Sequence, residues 1–166
     1  MTPASKQAVE RERKLALQSF LPYRLSVLSN TTSSALARLY SERYDITIPE
    51  WRVMAVLGGG QSLCANDVCG LTAMDKVQVS RAIARMIKGG LVTRAVDRSD
   101  RRRAVLKLTR KGLDIYAEIA PAAIAYEDRL LGVLSAEEQA QLDRLMARLM
   151  ARAVEIGAEM GGDAQA

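Results

Sequence analysis

The feature that most constrains the fold is a change of hydrophobic period within residues 75–109. From Lys76 to Lys88 the apolar residues recur every three or four positions, which predicts an amphipathic helix. Two glycines end that helix, and two stretches rich in β-branched residues, LVTRAV and AVLKLT, follow with the polar segment DRSDRRR between them. The pattern predicts a helix that leads directly into a β-hairpin.

Capping signals predict three more helices before this segment. Pro22 fits the first turn of a long amphipathic helix that we expect to run to about Tyr44. The sequence TIPE at 47–50 is a capping box for a second helix, WRVMAVL. Ser62 is a candidate cap for a short third helix, LCANDVC, and the turn TAMD at 72–75 looks like a further cap. A helix, a short turn and another helix, in this order, predict a helix-turn-helix.

Two further helices are predicted after the hairpin. Thr109 caps a long helix that Pro121 is expected to kink or divide. The sequence SAEE at 135–138 is a capping box for the last helix. That helix carries a heptad-like apolar seam made by Leu142, Met146, Leu149, Ala153 and Ile156. The predicted fold class is mainly α, a helix-turn-helix with a small β-hairpin wing and flanking helices at both ends.

Basic residues cluster in the segment that contains the predicted helix and hairpin. Residues 76–111 hold twelve Lys and Arg and only two acids, a local balance of +10, so the other 130 residues carry −5. Half of all the basic residues therefore lie in about a fifth of the chain. Such clustering is what a polyanion-binding surface requires.

The predicted helix at 76–88 has two chemically different faces. At 100° per residue, one set of apolar side chains collects on a core side: Val79, Ala82, Ile83, Met86 and Ile87. Arg81, Arg85 and Lys88 lie opposite, with Val77 and Gln78 beside them, and no acid follows Asp75 on this helix. A cationic face without acids predicts contact with a nucleic acid rather than with water alone.

The residue types on this face suit the major groove of DNA. Val77 can pack against a thymine methyl group, and Gln78 and Arg81 can hydrogen-bond to adenine and guanine edges. Ser80, on the flank, can donate to a phosphate. Asp75, Lys76 and Arg85 complete the set of candidate DNA-binding residues on the helix.

The polar segment at the hairpin tip is the second candidate DNA contact. Arg98, Arg101, Arg102 and Arg103 repel one another, and phosphates with released counterions would relieve that repulsion. A hairpin directly after a helix-turn-helix is a wing whose tip can reach the minor groove, where arginine is favoured. We expect Asp100 to brace one of these arginines rather than to contact phosphate.

Composition argues against several other classes of protein. The chain has no histidine, which removes the commonest metal ligand and general base, so we expect neither an enzyme nor a metal site and predict no cofactor. Cys64 and Cys69 are five positions apart, a spacing that disfavours a disulfide; we expect two buried small residues, with a redox-sensing thiol as the alternative. No apolar run has membrane-spanning length, and the charged N-terminal segment lacks a signal-peptide block, which predicts a cytoplasmic, nucleoid-associated protein.

The residues resemble the MarR family of winged helix-turn-helix regulators. The stretches that carry the resemblance are PEWRVMAVL, LTAMDKVQVSRAIARMIKGGLVTR and DRRRAVLKLTRKG, and the likeness covers about residues 20–157. It implies one domain over 1–166, with a winged helix-turn-helix at about 47–111 and dimerisation helices at about 20–45 and 113–158. The family's wing-tip motif D-x-R falls on Asp100 and Arg102, so the resemblance implies that Arg102 enters the minor groove. This chain departs from the motif by adding Arg101 and Arg103, which stay open as alternatives for the deepest contact.

The resemblance also implies a function and a ligand site. It implies a homodimer that binds a roughly palindromic operator in double-stranded DNA, more often as a repressor, and that responds to a small molecule such as an aromatic carboxylate. Candidate ligand-binding residues are Tyr23, Arg24, Asn30 and Trp51. A non-specific nucleic-acid-binding or adaptor protein that uses the basic patch only for its charge stays open as the alternative.

Overall fold

The computed structural model describes residues 15–60, 62–96 and 104–162. A 3₁₀ turn at Leu17–Ser19 precedes seven α-helices and two β-strands in these ranges. The helices are α1 (Leu21–Ala37), α2 (Ser41–Tyr44), α3 (Ile48–Gly58), α4 (Ala65–Thr72), α5 (Lys76–Lys88), α6 (Arg110–Leu131) and α7 (Ala136–Gly162), and the strands are β1 (Val92–Val96) and β2 (Ala104–Leu108). The predicted fold class, mainly α with a β-hairpin wing, is confirmed.

The chain forms two compact units that meet in sequence between Ala120 and Pro121. The first unit contains the helix-turn-helix and the hairpin, and the second contains the end of α6 and all of α7. Helix α6 continues through Pro121, so of the two expected outcomes, a kink or a division, the division does not occur. No helix in the described ranges has both the length and the apolar character that a membrane crossing needs.

The long first helix predicted to reach Tyr44 ends at Ala37 instead. A turn at residues 38–40 separates it from the single-turn helix α2. Tyr40 has a non-helical backbone and is 1% exposed, with its ring stacked on that of Trp51 at 5.4 Å. The break brings a large aromatic side chain into the core, and burial of that ring outweighs the local preference for a continuous helix.

The core of the first unit is built on α3. Its capping box is confirmed, because the Glu50 carboxylate accepts a hydrogen bond from the Thr47 amide at 2.8 Å. Trp51 stacks on Tyr116 of α6 as well as on Tyr40, with ring centroids 6.2 Å apart in the Tyr116 pair. A Cβ on Gly58 would overlap the Tyr116 ring, so the glycine at this position lets α3 and α6 approach.

Two of the predicted caps around the helix-turn-helix are wrong. Helix α4 is capped at Cys64, whose amide donates to the Asp67 carboxylate at 2.8 Å, and not at Ser62. Leu63 is not helical because it pairs with Leu106 in an isolated β-bridge. Thr72 is the last residue of α4 and bonds back to the Val68 carbonyl, while Asp75 itself caps α5.

The hairpin and the caps of the last two helices are confirmed. Strands β1 and β2 are antiparallel, with Val92 opposite Leu108 and Val96 opposite Ala104. Thr109 accepts from the Gly112 amide at 3.1 Å and so caps α6. The SAEE capping box forms at the start of α7, where the Ser135 amide donates to Glu138 at 2.8 Å.

Candidate nucleic-acid interface

The start of α5, the predicted recognition helix, is fixed by Asp75. Its carboxylate accepts from the Gln78 amide at 2.7 Å, so one of the free N–H groups of the first turn is satisfied. Ala73, two residues earlier, has a left-handed backbone (φ 50°), which turns the chain sharply between α4 and α5. Asp75 was predicted as a DNA contact, but in the structure it caps α5, and this role accounts for an aspartate just before the helix.

The two faces predicted for α5 are present, with one difference. Val79, Ala82, Ile83 and Met86 are buried, as predicted. Ile87 was also predicted to face the core, but it is 40% exposed. Ile87 is the next-to-last residue of α5 and lines the groove that α5 forms with the wing. Ala84 is exposed as well, and so are all the residues predicted for the polar face: Lys76, Val77, Gln78, Ser80, Arg81, Arg85 and Lys88.

Val77 and Arg81 differ from Arg85 in what they contact. Val77 is 58% exposed, an unusual position for a branched apolar side chain on a charged helix face. Arg81 is exposed and forms no ion pair with the described residues. Arg81 thus has its guanidinium available to an external acceptor, and Val77 has its methyl groups available to an apolar contact.

Arg85 is held by carboxylates from outside α5. Its Nε donates to Glu50 Oε1 at 2.7 Å, and its Nη2 lies 3.6 Å from a carboxylate oxygen of Asp45. Glu50 is only 4% exposed and also accepts from Thr47, so the same carboxylate caps α3 and holds α5. The sequence indicated the cap but gave no signal for the second bond, which joins residues 35 positions apart.

The base of the wing is attached to the helix-turn-helix. The Leu106 amide donates to the Leu63 carbonyl at 2.8 Å, which adds the segment before α4 to the edge of β2. Residues 97–103 join the two strands in the sequence. They lie outside the described residues, which stop at Val96 and resume at Ala104. The candidates Arg98, Asp100, Arg101, Arg102 and Arg103 lie outside the described residues, so their roles stay predictions.

A groove of about 280 Å³ runs between α5 and the base of the wing. It brings Lys76 and Ser80 of α5 together with Arg94 of β1 and Asn66 of α4. These groups all donate hydrogen bonds, a set that suits the phosphate oxygens of a nucleic-acid backbone. Sequence reasoning missed Arg94 and Asn66; for Arg94 the usable signal was its membership of the basic cluster at residues 76–111.

The four candidate ligand-binding residues differ in their surroundings. Trp51 is 8% exposed and belongs to the aromatic stack in the core. Tyr23, Arg24 and Asn30 are exposed on α1. The structure gives Trp51 a packing role, and a ligand site made by these four residues stays a prediction.

The two cysteines do not form a disulfide. Cys64 and Cys69 are both free and half-buried rather than fully buried. In the ranges 15–60, 62–96 and 104–162, no group of three or more His, Cys, Asp or Glu side chains is arranged to hold a metal ion.

Helix α7 presents a different kind of surface. None of its described residues is buried, and the predicted seam is exposed, with Leu142, Met146, Leu149 and Ile156 between 39% and 45% exposed. Leu145, Met150 and Val154 extend the apolar area. A helix with this much exposed apolar surface is typical of a protein–protein contact.

Comparison with known proteins gives consistent results. The sequence profile of the MarR family matches residues 44–103. The transcriptional regulator HosA of Escherichia coli O157:H7 is 32% identical over 113 residues, which cover 68% of this chain and 84% of HosA.

Two solved structures show the same fold. A MarR/EmrR family transcriptional regulator from Acinetobacter sp. ADP1 superposes with a TM-score of 0.79 at 21% identity, over 85% of this chain and 99% of that one. BpsR of Bordetella bronchiseptica, whose DNA binding is regulated by 6-hydroxynicotinic acid, superposes with a TM-score of 0.71 at 20% identity, over 82% of this chain and 97% of that one.

Proposed function

Because this chain belongs to the MarR family of transcriptional regulators, we propose that it is a homodimeric repressor that binds a specific DNA operator and is released by a small ligand. HosA, which aligns with 68% of this chain, is a transcriptional regulator, and we propose the same non-enzymatic role here, on the DNA of the nucleoid. The observation that carries the proposal is the exposed, acid-free face of α5 beside a β-hairpin.

Helix α5 is the proposed reader of base sequence. Its exposed face offers an apolar contact at Val77 and hydrogen-bond donors at Gln78 and Arg81, which match the groups displayed in the major groove. Lys76, Ser80 and the newly found Arg94 and Asn66 line the groove next to that face and would hold a phosphate. Arg85 is tied to Glu50, so we assign it to positioning α5 before any contact with DNA.

The wing is the proposed second contact. Its paired strands lead from the end of α5 to residues 97–103, where Arg98, Arg101, Arg102 and Arg103 supply four positive charges. Arginine at a hairpin tip beside a recognition helix suits the narrow minor groove and its flanking phosphates. We propose that Arg102 enters the groove and that Asp100 orients a neighbouring arginine.

Dimerisation is assigned to the helices at about 20–45 and 113–158. The exposed seam of α7 supports this assignment, since its apolar side chains have no cover within the described part of the second unit. A two-fold dimer would present two α5 helices to successive major grooves, about 34 Å or ~10 bp apart, and would therefore select a roughly palindromic site.

Release by a small ligand is proposed from the relatives. BpsR has this fold, and an aromatic acid regulates its DNA binding. A ligand that changes the arrangement of two DNA-binding heads by a small amount weakens binding, because both heads must fit one duplex; such coupling is typically ~1–3 kcal/mol.

The proposal is tested by competition binding. Operator fragments are first selected from genomic DNA with the complete protein at physiological salt, and a labelled fragment is then challenged with a large excess of random duplex. A specific regulator keeps its operator, because specific affinity exceeds non-specific affinity by about 10³-fold or more. Loss of the fragment in proportion to added random duplex would favour the alternative, a protein that binds nucleic acid only through charge.

A further inference from the structure

A second cavity of the first unit lies at the opposite end of α5 from its cap. Its volume is about 550 Å³, within the range that small-molecule sites occupy. It is formed where α2, the start of α3, the end of α5 and the start of α6 meet. The lining residues that carry the argument are Glu50, Arg85, Met86, Lys88, Lys111 and Ile115.

Two lysines line this cavity without a carboxylate partner. Lys88 is the last residue of α5, and Lys111 is in the first turn of α6, where its Nζ donates to the Gly89 carbonyl at 3.0 Å. Neither lysine forms an ion pair with the described residues. An ammonium group has three donors, so Lys111 keeps donors for a second acceptor, and Lys88 keeps all three.

The third cation in the cavity, Arg85, already has carboxylate partners. Arg85 is bonded to Glu50 at 2.7 Å and lies 3.6 Å from Asp45. The lining has three cations and two acids, so the cavity keeps a net charge of +1. An anion is therefore favoured as its occupant, and Arg85 can also donate to it, because a guanidinium has five N–H donors and only its Nε is bonded to Glu50.

The remaining wall of the cavity is apolar. Met86 is 1% exposed, Leu91 is 9% exposed and Ile115 is half-buried. A bare inorganic anion would leave this wall in contact with water. A compact acid with a planar or aliphatic body would cover the wall and place its carboxylate against the lysines.

We propose that this cavity binds a small amphiphilic carboxylate through Lys88 and Lys111 and that its occupancy acts on α5. The inference rests on the proposed function, because it places the regulatory ligand at the helix that would read DNA. It differs from the site at Tyr23, Arg24, Asn30 and Trp51, since none of those residues lines this cavity. A ligand bound here would contact Lys88 in the last turn of α5 and would lie beside the Arg85–Glu50 pair that links α5 to α3.

The test uses isothermal titration of the complete protein with three probes. The probes are 6-hydroxynicotinate, its uncharged amide of the same shape, and inorganic phosphate. We expect saturable binding of the acid, with the amide and phosphate weaker by about tenfold or more, because the first lacks the charge and the second lacks the apolar body.

The double variant Lys88→Gln with Lys111→Gln should weaken the acid by about tenfold or more. Both lysines are exposed, so the folded state should survive, which circular dichroism checks. The double variant Lys107→Gln with Arg144→Gln, which removes the same two positive charges from exposed positions outside the cavity, is the matched control and should leave the acid affinity unchanged.

Two results would overturn the inference: an acid affinity that the Lys88→Gln, Lys111→Gln variant does not alter, or no saturable binding of the acid. Binding to an operator fragment, measured without any acid, separates this outcome from failure of the proposed function. If the protein binds the operator but does not bind the acid, the proposed function stands and the proposed ligand site is rejected. A protein that fails to select any operator loses the function whatever the acid does.

Discussion

Helices α5 and α7 are both amphipathic, but they use their apolar faces in opposite ways. The apolar face of α5 is buried within its own unit, and its exposed face carries cations. The apolar face of α7 is exposed, and no described residue of that helix is buried. The difference indicates two kinds of partner: a polyanion for α5, whose packing is complete, and another apolar surface for α7, whose packing is not.

The largest expected effect comes from placing a charge in the α7 seam. Leu149→Glu would occur twice in a two-fold dimer and would bury carboxylates against apolar side chains. We expect the dimer dissociation constant to rise by more than about 100-fold, equivalent to ~3 kcal/mol. Sedimentation equilibrium measures this constant. Ala151→Glu, on the opposite side of α7, is the control; if both variants dissociate equally, the seam is not the contact.

Removing the carboxylate that anchors α5 should have the next largest effect. Glu50→Ala deletes both the α3 cap and the bond to Arg85, and we expect the free energy of unfolding to fall by about 2–3 kcal/mol. The expected loss is smaller than for a fully buried ion pair, because the Arg85 side chain is half exposed and solvent screens its charge. Guanidinium denaturation measures this free energy of unfolding. Glu42→Ala, at an exposed acid of α2, should change stability little, and a similar loss in both variants would argue against the anchor.

Changing the open face of α5 should affect DNA binding without affecting stability. Arg81→Ala should cost about 1–3 kcal/mol of operator affinity and relax the preference at one base pair, because a base contact is lost. Quantitative binding to single-base operator variants measures both quantities. Arg152→Ala on α7 provides an arginine control. Equal weakening on operator and random duplex would reject base reading by Arg81.

The smallest expected effect concerns the start of α7. Bonds from the Ser135 amide and hydroxyl lower the pKa of Glu138 below its usual value. A lowered folded-state pKa stabilises the helix at pH values above the unfolded pKa, and that stabilisation is lost as the pH falls through the folded pKa. Glu138→Gln should therefore reduce the acid dependence of unfolding as the pH falls below the usual pKa of a glutamate, 4.5. An identical pH dependence in both proteins would mean that the cap is not formed in solution.

The sequence predicted the elements whose signals are local. The TIPE and SAEE capping boxes, the glycines after α5 and the change of period at the hairpin all depend on neighbouring residues, and all are confirmed. The errors arise where a distant contact decides. Helix α1 breaks because Tyr40 packs on Trp51, and Leu63 is excluded from α4 because it pairs with Leu106.

The candidate site shows the same division. Exposure of Val77, Gln78 and Arg81 follows from helical spacing alone, so the sequence predicted it correctly. The bond from Arg85 to Glu50 joins two helices, and the groove that adds Arg94 and Asn66 joins three elements, so neither could be predicted without the tertiary structure.

The aromatic stack of Tyr40, Trp51 and Tyr116 gives the molecule an optical property. Trp51 is the only tryptophan of the chain, and two of the five tyrosines lie against it, close enough to pass excitation to the indole. Fluorescence from this one ring therefore reports on the place where the first helix breaks and α6 packs on α3. Opening of that junction, by heat or by a bound molecule, is visible as a red shift without any attached label.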